Sequence, residues 1–207
     1  MVKKIGFHVL HSVYLAIGHL IAFMLGIFWA CRDVLLPPKQ DAVLFVSHPD
    51  DEVLFYHKFL KEKKPFVVCL TTAGLPNRIF PFFRVMKYYK LRYRCFDMSS
   101  GDINREYMIR KHIRQILSSG QFSICATHNK TGEYGHIMHK CVHKCVKEEW
   151  NGPIFSPICK EEITKYPLDF DNQAEKDKIL RELYFKEYPT LSNLFSDWIK
   201  NEKVSME

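Results

Sequence analysis

The strongest constraint on the fold is a repeated alternation of short apolar runs with helix-like stretches between Asp41 and Trp150. Ala42 to Ser47 reads AVLFVS, stops abruptly at polar residues, and is followed by a helix-like stretch from Val53 to Lys63. Phe66 to Thr71, Tyr93 to Met98 and Phe122 to Thr127 repeat the pattern, each preceded by a helical segment such as Asn104 to Leu117. Continuous apolar runs of this length suit strands buried on both faces, and strands separated by helices pair in parallel. The spacing predicts a doubly wound α/β domain with helices on both sides of a parallel sheet. Beyond Trp150, the segment Pro153 to Pro157 can add a strand, and Gln173 to Lys200 reads as one or two terminal helices broken at Pro189.

Ligands of such sheets bind beyond the carboxyl ends of the strands. The loops Ser47 to Glu52, Thr72 to Arg78, Ser99 to Asn104 and His128 to His136 are therefore expected to converge on one edge. The first contains His48-Pro49-Asp50-Asp51-Glu52, three carboxylates and an imidazole in five residues. Such crowding is unfavourable unless a cation offsets it. Pro49 restricts the backbone so that His48 and Asp51 can address one point while Asp50 faces elsewhere. A His and a carboxylate supply two of the three protein ligands typical of a catalytic zinc site.

The fourth loop supplies Gly132-Glu133-Tyr134-Gly135-His136-Ile137-Met138-His139. Its glycines permit a tight turn before a helix on which His136 and His139 share a face, with His143 one turn further. Spacing alone does not say which of the three histidines binds metal. Each motif has a plainer reading, as a helix cap or as ordinary surface and core histidines. Their joint placement at strand ends of one predicted sheet favours a site.

The segments VSHPDDEVLF and GEYGHIMHKCVH resemble the LmbE/PIG-L family of zinc-dependent N-acetylglucosamine deacetylases, over the stretch from Asp41 to about Trp150. The resemblance implies a Rossmann-like fold, and zinc held by His48, Asp51 and His139. It makes Asp50 the general base, His136 the group that stabilises or protonates the tetrahedral intermediate and the departing amine, and Tyr134 a polariser of the acetyl carbonyl. An arginine that contacts substrate has its counterpart near Arg78. The acidic residue expected a turn beyond it is here Pro81. Glu52 reads as structural, at a helix N-terminus where negative charge is favoured. The implied substrate is an N-acetylated amino-sugar glycoconjugate such as N-acetylglucosaminyl-phosphatidylinositol.

From Ile5 to Cys31 there is no Asp, Glu, Lys or Arg, a run longer than the roughly 20 residues that cross a bilayer as helix. It lacks the short core and small-residue cleavage site of a signal peptide. The sequence thus leads us to expect an N-terminal membrane-anchor helix over 5–31, a linker to residue 40, and a deacetylase domain over 41–207 in a single-pass membrane protein. Lys3 and Lys4 are nearly balanced by Arg32 and Lys39, and the seven cysteines, odd in number and without a close-spaced framework, suit a reducing compartment and so a cytoplasmic catalytic domain. The net charge of +7 carries no nucleic-acid motif with it. Its densest stretch, Arg84 to Arg94, reads as the solvated face of a helix and the strand after it. The competing reading is a catalytically inactive, membrane-anchored module that binds glycans or lipids.

Overall fold

The computed structural model describes residues 38–71, 76–96, 105–165 and 170–206, all within the unit from Pro37 to Glu207. In chain order, β1 (Ala42–Val46), α1 (Asp51–Lys63), β2 (Phe66–Cys69), α2 (Pro76–Tyr89) and β3 (Tyr93–Cys95) are followed by α3 (Arg105–Ser119), β4 (Ile124–Thr127), α4 (Ile137–Glu149) and β5 (Ile154–Pro157). The helices α5 (Lys160–Ile163), α6 (Phe170–Leu183), α7 (Tyr188–Leu194) and α8 (Ser196–Lys200) then lead to β6 (Val204–Met206). Together the strands form one sheet in the order β3-β2-β1-β4-β5-β6. β1 to β5 run parallel, and β6 closes the edge antiparallel to β5. β6 has no counterpart in the sequence reading, because Val204–Met206 is too short to stand out as an apolar run.

The apolar runs are unbroken because both faces of the sheet are covered. Leu44, Val46, Val67, Cys69 and Ala126 share a core with Phe82, Val85 and Met86 of α2 and with Ile179 and Leu180 of α6. Their neighbours along the strands, Val43, Phe45, Phe66, Val68 and Cys125, pack in a second core with Ile109, Ile113 and Ile116 of α3 and with Val142, Cys145 and Val146 of α4. The spacing of the three isoleucines puts them on one stripe of α3. In the basic stretch, Arg84, Lys87 and Lys90 are exposed on or just after α2, whereas Arg94 is buried. Cys69 and Cys125 are buried thiols, and Cys95 on the shorter β3 is half-buried.

This order places the functional loops. The chain runs outward from β1 through β2 to β3, then crosses back to lay β4 on the other side of β1. Strand order reverses at that point, which is where open α/β sheets form a crevice. Phe45 is in register with Thr127, so the loops after β1 and β4 start at the same level. Tyr56 of α1 ties this region together: its backbone leaves helical geometry (φ −136, ψ 20), and its hydroxyl lies 2.5 Å from the carbonyl of Thr127 and 3.1 Å from that of Phe155.

One expectation is corrected. Among the described residues no helix is long and apolar enough to cross a membrane, so a single-pass membrane protein with a cytoplasmic domain is not upheld. The segment 5–31 on which that expectation rested lies outside the described residues.

Tyr56→Phe keeps the ring but removes the hydroxyl that holds the ends of β4 and β5. We expect a loss of about 0.5–1.5 kcal/mol, read as a lower midpoint of urea unfolding; an unchanged midpoint would refute this role for the hydroxyl.

Candidate metal centre

The loop from Ser47 to Asp51 turns sharply. Asp50 has φ 105, a left-handed backbone that costs a non-glycine residue about 1–3 kcal/mol and persists only where its surroundings enforce it. Several bonds do so. Val53 and Leu54 donate their N–H groups to the Asp50 carbonyl at 3.1 and 2.9 Å, and the Asp50 N–H donates to Glu52 Oε2 at 3.0 Å. Arg78 Nη2 donates to Asp50 Oδ2 at 3.0 Å and to the Pro49 carbonyl at 3.3 Å. The Asp51 carboxylate folds back to accept the His48 N–H at 2.8 Å, and this sets its Oδ2 beside the His48 ring.

The loop after β4 is organised by Asn129. Its Oδ1 accepts the N–H groups of Thr131 and Glu133, both at 2.9 Å, and its Nδ2 donates to the Pro157 carbonyl at 2.8 Å. Gly132, Glu133 and Gly135 all have positive φ. A Cβ on Gly132 would lie 2.5 Å from the His136 carbonyl oxygen, so the turn into α4 demands glycine there. The result is a buried Glu133 under the site. Its Oε2 lies 2.6 Å from His139 Nδ1, and its Oε1 lies 3.3 Å from His128 Nδ1.

His48 Nδ1, Asp51 Oδ2 and His139 Nε2 meet as a triangle with every edge 3.4 Å. Ligand atoms at bonds of about 2.0–2.1 Å in a tetrahedral zinc site stand roughly 3.3–3.4 Å apart, so the triangle has the size of one tetrahedral face. Because Glu133 takes the Nδ1 proton of His139, the Nε2 lone pair is turned toward Asp51. When His48 carries its proton on Nε2, which faces Ser47 Oγ at 3.5 Å, the three atoms are all acceptors and repel unless a cation lies among them. Two overlapping sets of side chains have ligand atoms close enough to share an ion, His48, His136 and His139 on one side and the buried Asp51, His128 and His139 on the other, and the triangle takes members from both.

His128 also approaches, with Nε2 3.4 Å from Asp51 Oδ2 and its ring stacked on that of His139 at 3.7 Å. Burial opposes its protonation, while Glu133 and Asp51 favour it. The Ser47 N–H nevertheless points at Nε2 from 2.9 Å and requires a lone pair there. We therefore read the ring as neutral, with its Nδ1 proton on Glu133 and Nε2 already occupied, which leaves His128 a support for His139 rather than a ligand. His143 is separate from the triangle: its Nδ1 donates to the His128 carbonyl at 2.7 Å.

The remaining site residues line a cavity of about 340 Å³, shared by Asp50, Arg78, Tyr134 and His136 with Lys186 and Glu187 from the far end of the chain. Burial, and then Asp51, raise Asp50 to about 7 against the pull of Arg78. For Asp51 burial acts upward, but His139, His128 and His48 overcome it and hold the group well below the usual carboxylate range. Burial, and then His139 and His48, lower His136 to about 4, so it is neutral at pH 7. Burial together with Asp51 raises Tyr134, which keeps its hydroxyl a donor. Glu52 is fully buried rather than at an open helix end. Burial raises it to about 8, and it accepts the Tyr184 hydroxyl at 2.5 Å.

The structure thus brings together each residue singled out from the sequence except His143. The sequence reading had no role for His128 or Glu133. His128 could have been found as the first polar residue after β4, and Glu133 as a lone acid enclosed by the glycine turn.

Comparison with known proteins bears on the fold. No protein-family pattern matches the chain. A mimivirus protein from Acanthamoeba polyphaga mimivirus, uncharacterized protein L374, is 25% identical over 126 residues, covering 51% of this chain and 56% of the relative. The chain therefore spans little more than half of that curated relative. Among solved structures, the A40926 pseudoaglycone deacetylase Dbv21 superposes with a TM-score of 0.57 at 13% identity, over 77% of this chain and 89% of that one. GalB, the 4-carboxy-2-hydroxymuconate hydratase from Pseudomonas putida KT2440, does so with a TM-score of 0.50 at 14% identity, over 72% and 83%. The chain shares their fold.

Glu133→Gln should lower zinc affinity by about 10–100-fold, the usual effect of removing a carboxylate behind a histidine ligand. His143→Gln should leave affinity near that of the unaltered chain. Competition with a chromogenic chelator reads both, and equal affinities for the Glu133 variant and the unaltered chain would refute the assignment.

Proposed function

We propose that the chain is a zinc-dependent hydrolase that removes the acetyl group from an N-acetylglucosamine-containing glycoconjugate. The observation that carries this reading is the triangle of His48, Asp51 and His139, open to a cavity whose wall holds Asp50, Arg78, Tyr134 and His136. The acetylated amino sugar rests on the likeness of the two loop motifs to LmbE/PIG-L deacetylases. The fold shared with a protein named as a deacetylase is consistent with it.

His48, Asp51 and His139 would hold the ion, and the mixture of imidazole and carboxylate suits zinc. A bound zinc supplies Lewis acidity toward an amide carbonyl and lowers the pKa of water to about 7. Asp50 is the proton acceptor. With a pKa near 7 it can take a proton from an attacking water and give it up again at neutral pH. Arg78 fixes its orientation through Oδ2, and the bond from Asp50 N–H to Glu52 keeps the strained backbone in place.

The protonated hydroxyl of Tyr134 can donate to the acetyl oxygen as negative charge develops there, a preorganised arrangement that needs no reorientation during the reaction. His136 enters the reaction neutral. It can offer an N–H to the tetrahedral centre or relay a proton released by Asp50 to the departing amine. Leu54, Leu191 and Phe195 form the apolar part of the wall and limit water around the reacting bond.

The test is acetate release by the purified, zinc-loaded full chain from N-acetylglucosamine, its phosphatidylinositol conjugate and a nucleotide-linked form. Asp50→Asn should retain zinc and lose about 10²–10⁴-fold in rate, while His139→Ala should lose the zinc itself. Zinc-loaded protein that binds these glycans and releases no acetate from any of them would replace this reading with a glycan-binding module.

A further inference from the structure

Three residues on the cavity wall each carry a buried polar atom that no described residue satisfies: Arg78 at Nε, His136 at Nδ1 and Glu187 at Oε2. A buried polar atom left unpaired costs about 1–3 kcal/mol, more when charged, and native structures retain few of them. Arg78 and His136 have places in the reaction proposed above. Glu187 has none, and its carboxylate is the least expected group in a cavity that already contains Asp50 and Asp51.

Its backbone is held on both sides. Glu187 lies in the short turn between α6 and α7, where its N–H donates to the Tyr184 carbonyl at 3.0 Å and its carbonyl accepts the Leu191 N–H at 2.9 Å. Tyr184 is fully buried, and its hydroxyl donates to Glu52, the residue that also receives the Asp50 N–H. One connected set of bonds therefore fixes Glu187 relative to Asp50. Glu187 also lies close enough to Arg78 to be among the charges that favour its ionised form, after burial, which opposes it, and after Asp50 and Asp51.

An ionised carboxylate only accepts hydrogen bonds, and Arg Nε–H only donates. A ligand that satisfies both must present a donor to one and an acceptor to the other. The acetyl carbonyl, directed at the zinc and Tyr134 in the reaction proposed above, serves neither atom, and the single amide N–H can serve Glu187 but offers nothing to Arg78 Nε–H. Ring hydroxyls of a sugar act in both senses, and neighbouring ones can serve both atoms. We infer that Glu187 binds a ring hydroxyl of the substrate, with Arg78 Nε as its counterpart, and so selects a polyhydroxylated ring over N-acetyl amides in general. This rests on the reading of the cavity as an amide-hydrolase site and names the part of that site that recognises the sugar.

The experiment uses the zinc-loaded full chain and three ligands: methyl N-acetylglucosaminide, N-cyclohexylacetamide, which has the same amide on a six-membered ring without hydroxyls, and cyclohexylamine. Because the active chain would hydrolyse the sugar during the titration, calorimetric Kd values are measured in the Asp50→Asn background, alone and combined with Glu187→Ala or Glu187→Gln, with circular dichroism and zinc content as checks on folding. Glu187→Ala should weaken the sugar relative to the cyclohexyl amide by about 10–100-fold, the range for a hydrogen bond to a charged group. Glu187→Gln, which keeps one acceptor oxygen, should fall between. An unchanged ratio of the sugar and cyclohexyl amide affinities overturns the inference, as does no sugar binding by the Asp50→Asn parent. An equal loss for cyclohexylamine marks an ammonium site instead and overturns it too. Acetate release is scored separately: sugar binding that depends on Glu187 without hydrolysis would refute the proposed activity and leave this assignment standing.

Discussion

Asp51 is the point on which the rest of the site depends. Its Oδ2 is 3.4 Å from nitrogen atoms of His48, His128 and His139, and the fold spends several donors on turning lone pairs toward that oxygen. The His48 N–H holds the carboxylate, Glu133 takes the protons on the far nitrogens of His139 and His128, and the Ser47 N–H occupies His128 Nε2. What remains is a small triangular face formed by His48 Nδ1, Asp51 Oδ2 and His139 Nε2. A protein interior tolerates such a face when a cation belongs there, and the edge length suits an ion of zinc's preferred geometry.

The same loops show how local strain is carried by distant contacts. Asp50 adopts φ 105 because Glu52, Arg78 and the first turn of α1 grip it on three sides. Glu52 in turn is held by Tyr184, at the end of α6. The C-terminal helices therefore do more than cover the sheet: Leu191, Phe195 and Glu187 line the cavity, and Tyr184 braces Asp50 through Glu52. Lys176 of α6, itself buried, reaches the Trp198 carbonyl at 2.6 Å and Glu202 at 3.3 Å, which fastens α6 to the last segment of the chain.

Much of this architecture is legible in the sequence. Unbroken apolar strands report that both faces are covered, and five of the six strands overlap runs such as AVLFVS that can be picked out by eye. The strand at Val204–Met206 escapes because an edge strand of three residues is recruited by pairing with β5 and needs little apolar character of its own. His48, Asp50 and Asp51 are conspicuous because acids crowded after a strand are costly in any other role. His128 and Glu133 are not, since a single histidine or glutamate in a loop usually faces water. Expecting a membrane-spanning helix from the uncharged run 5–31 used length and hydropathy alone, and the described residues contain no such helix.

By itself the sequence determined the parallel α/β sheet, the glycine turn ahead of α4 and the two loops that carry the chemistry, since these follow from periodicity, backbone preference and charge crowding within a few residues. Tertiary structure decided which histidines face Asp51. Spacing places His136, His139 and His143 on neighbouring turns of one helix, but only the Glu133 contact turns His139 Nε2 inward, and only the His128 carbonyl draws His143 away. It also decided that Glu187 joins a cavity with Asp50 and Arg78, more than a hundred positions earlier in the chain. Such choices depend on distances between elements that the chain brings together only when the sheet reverses its order at β1 and β4.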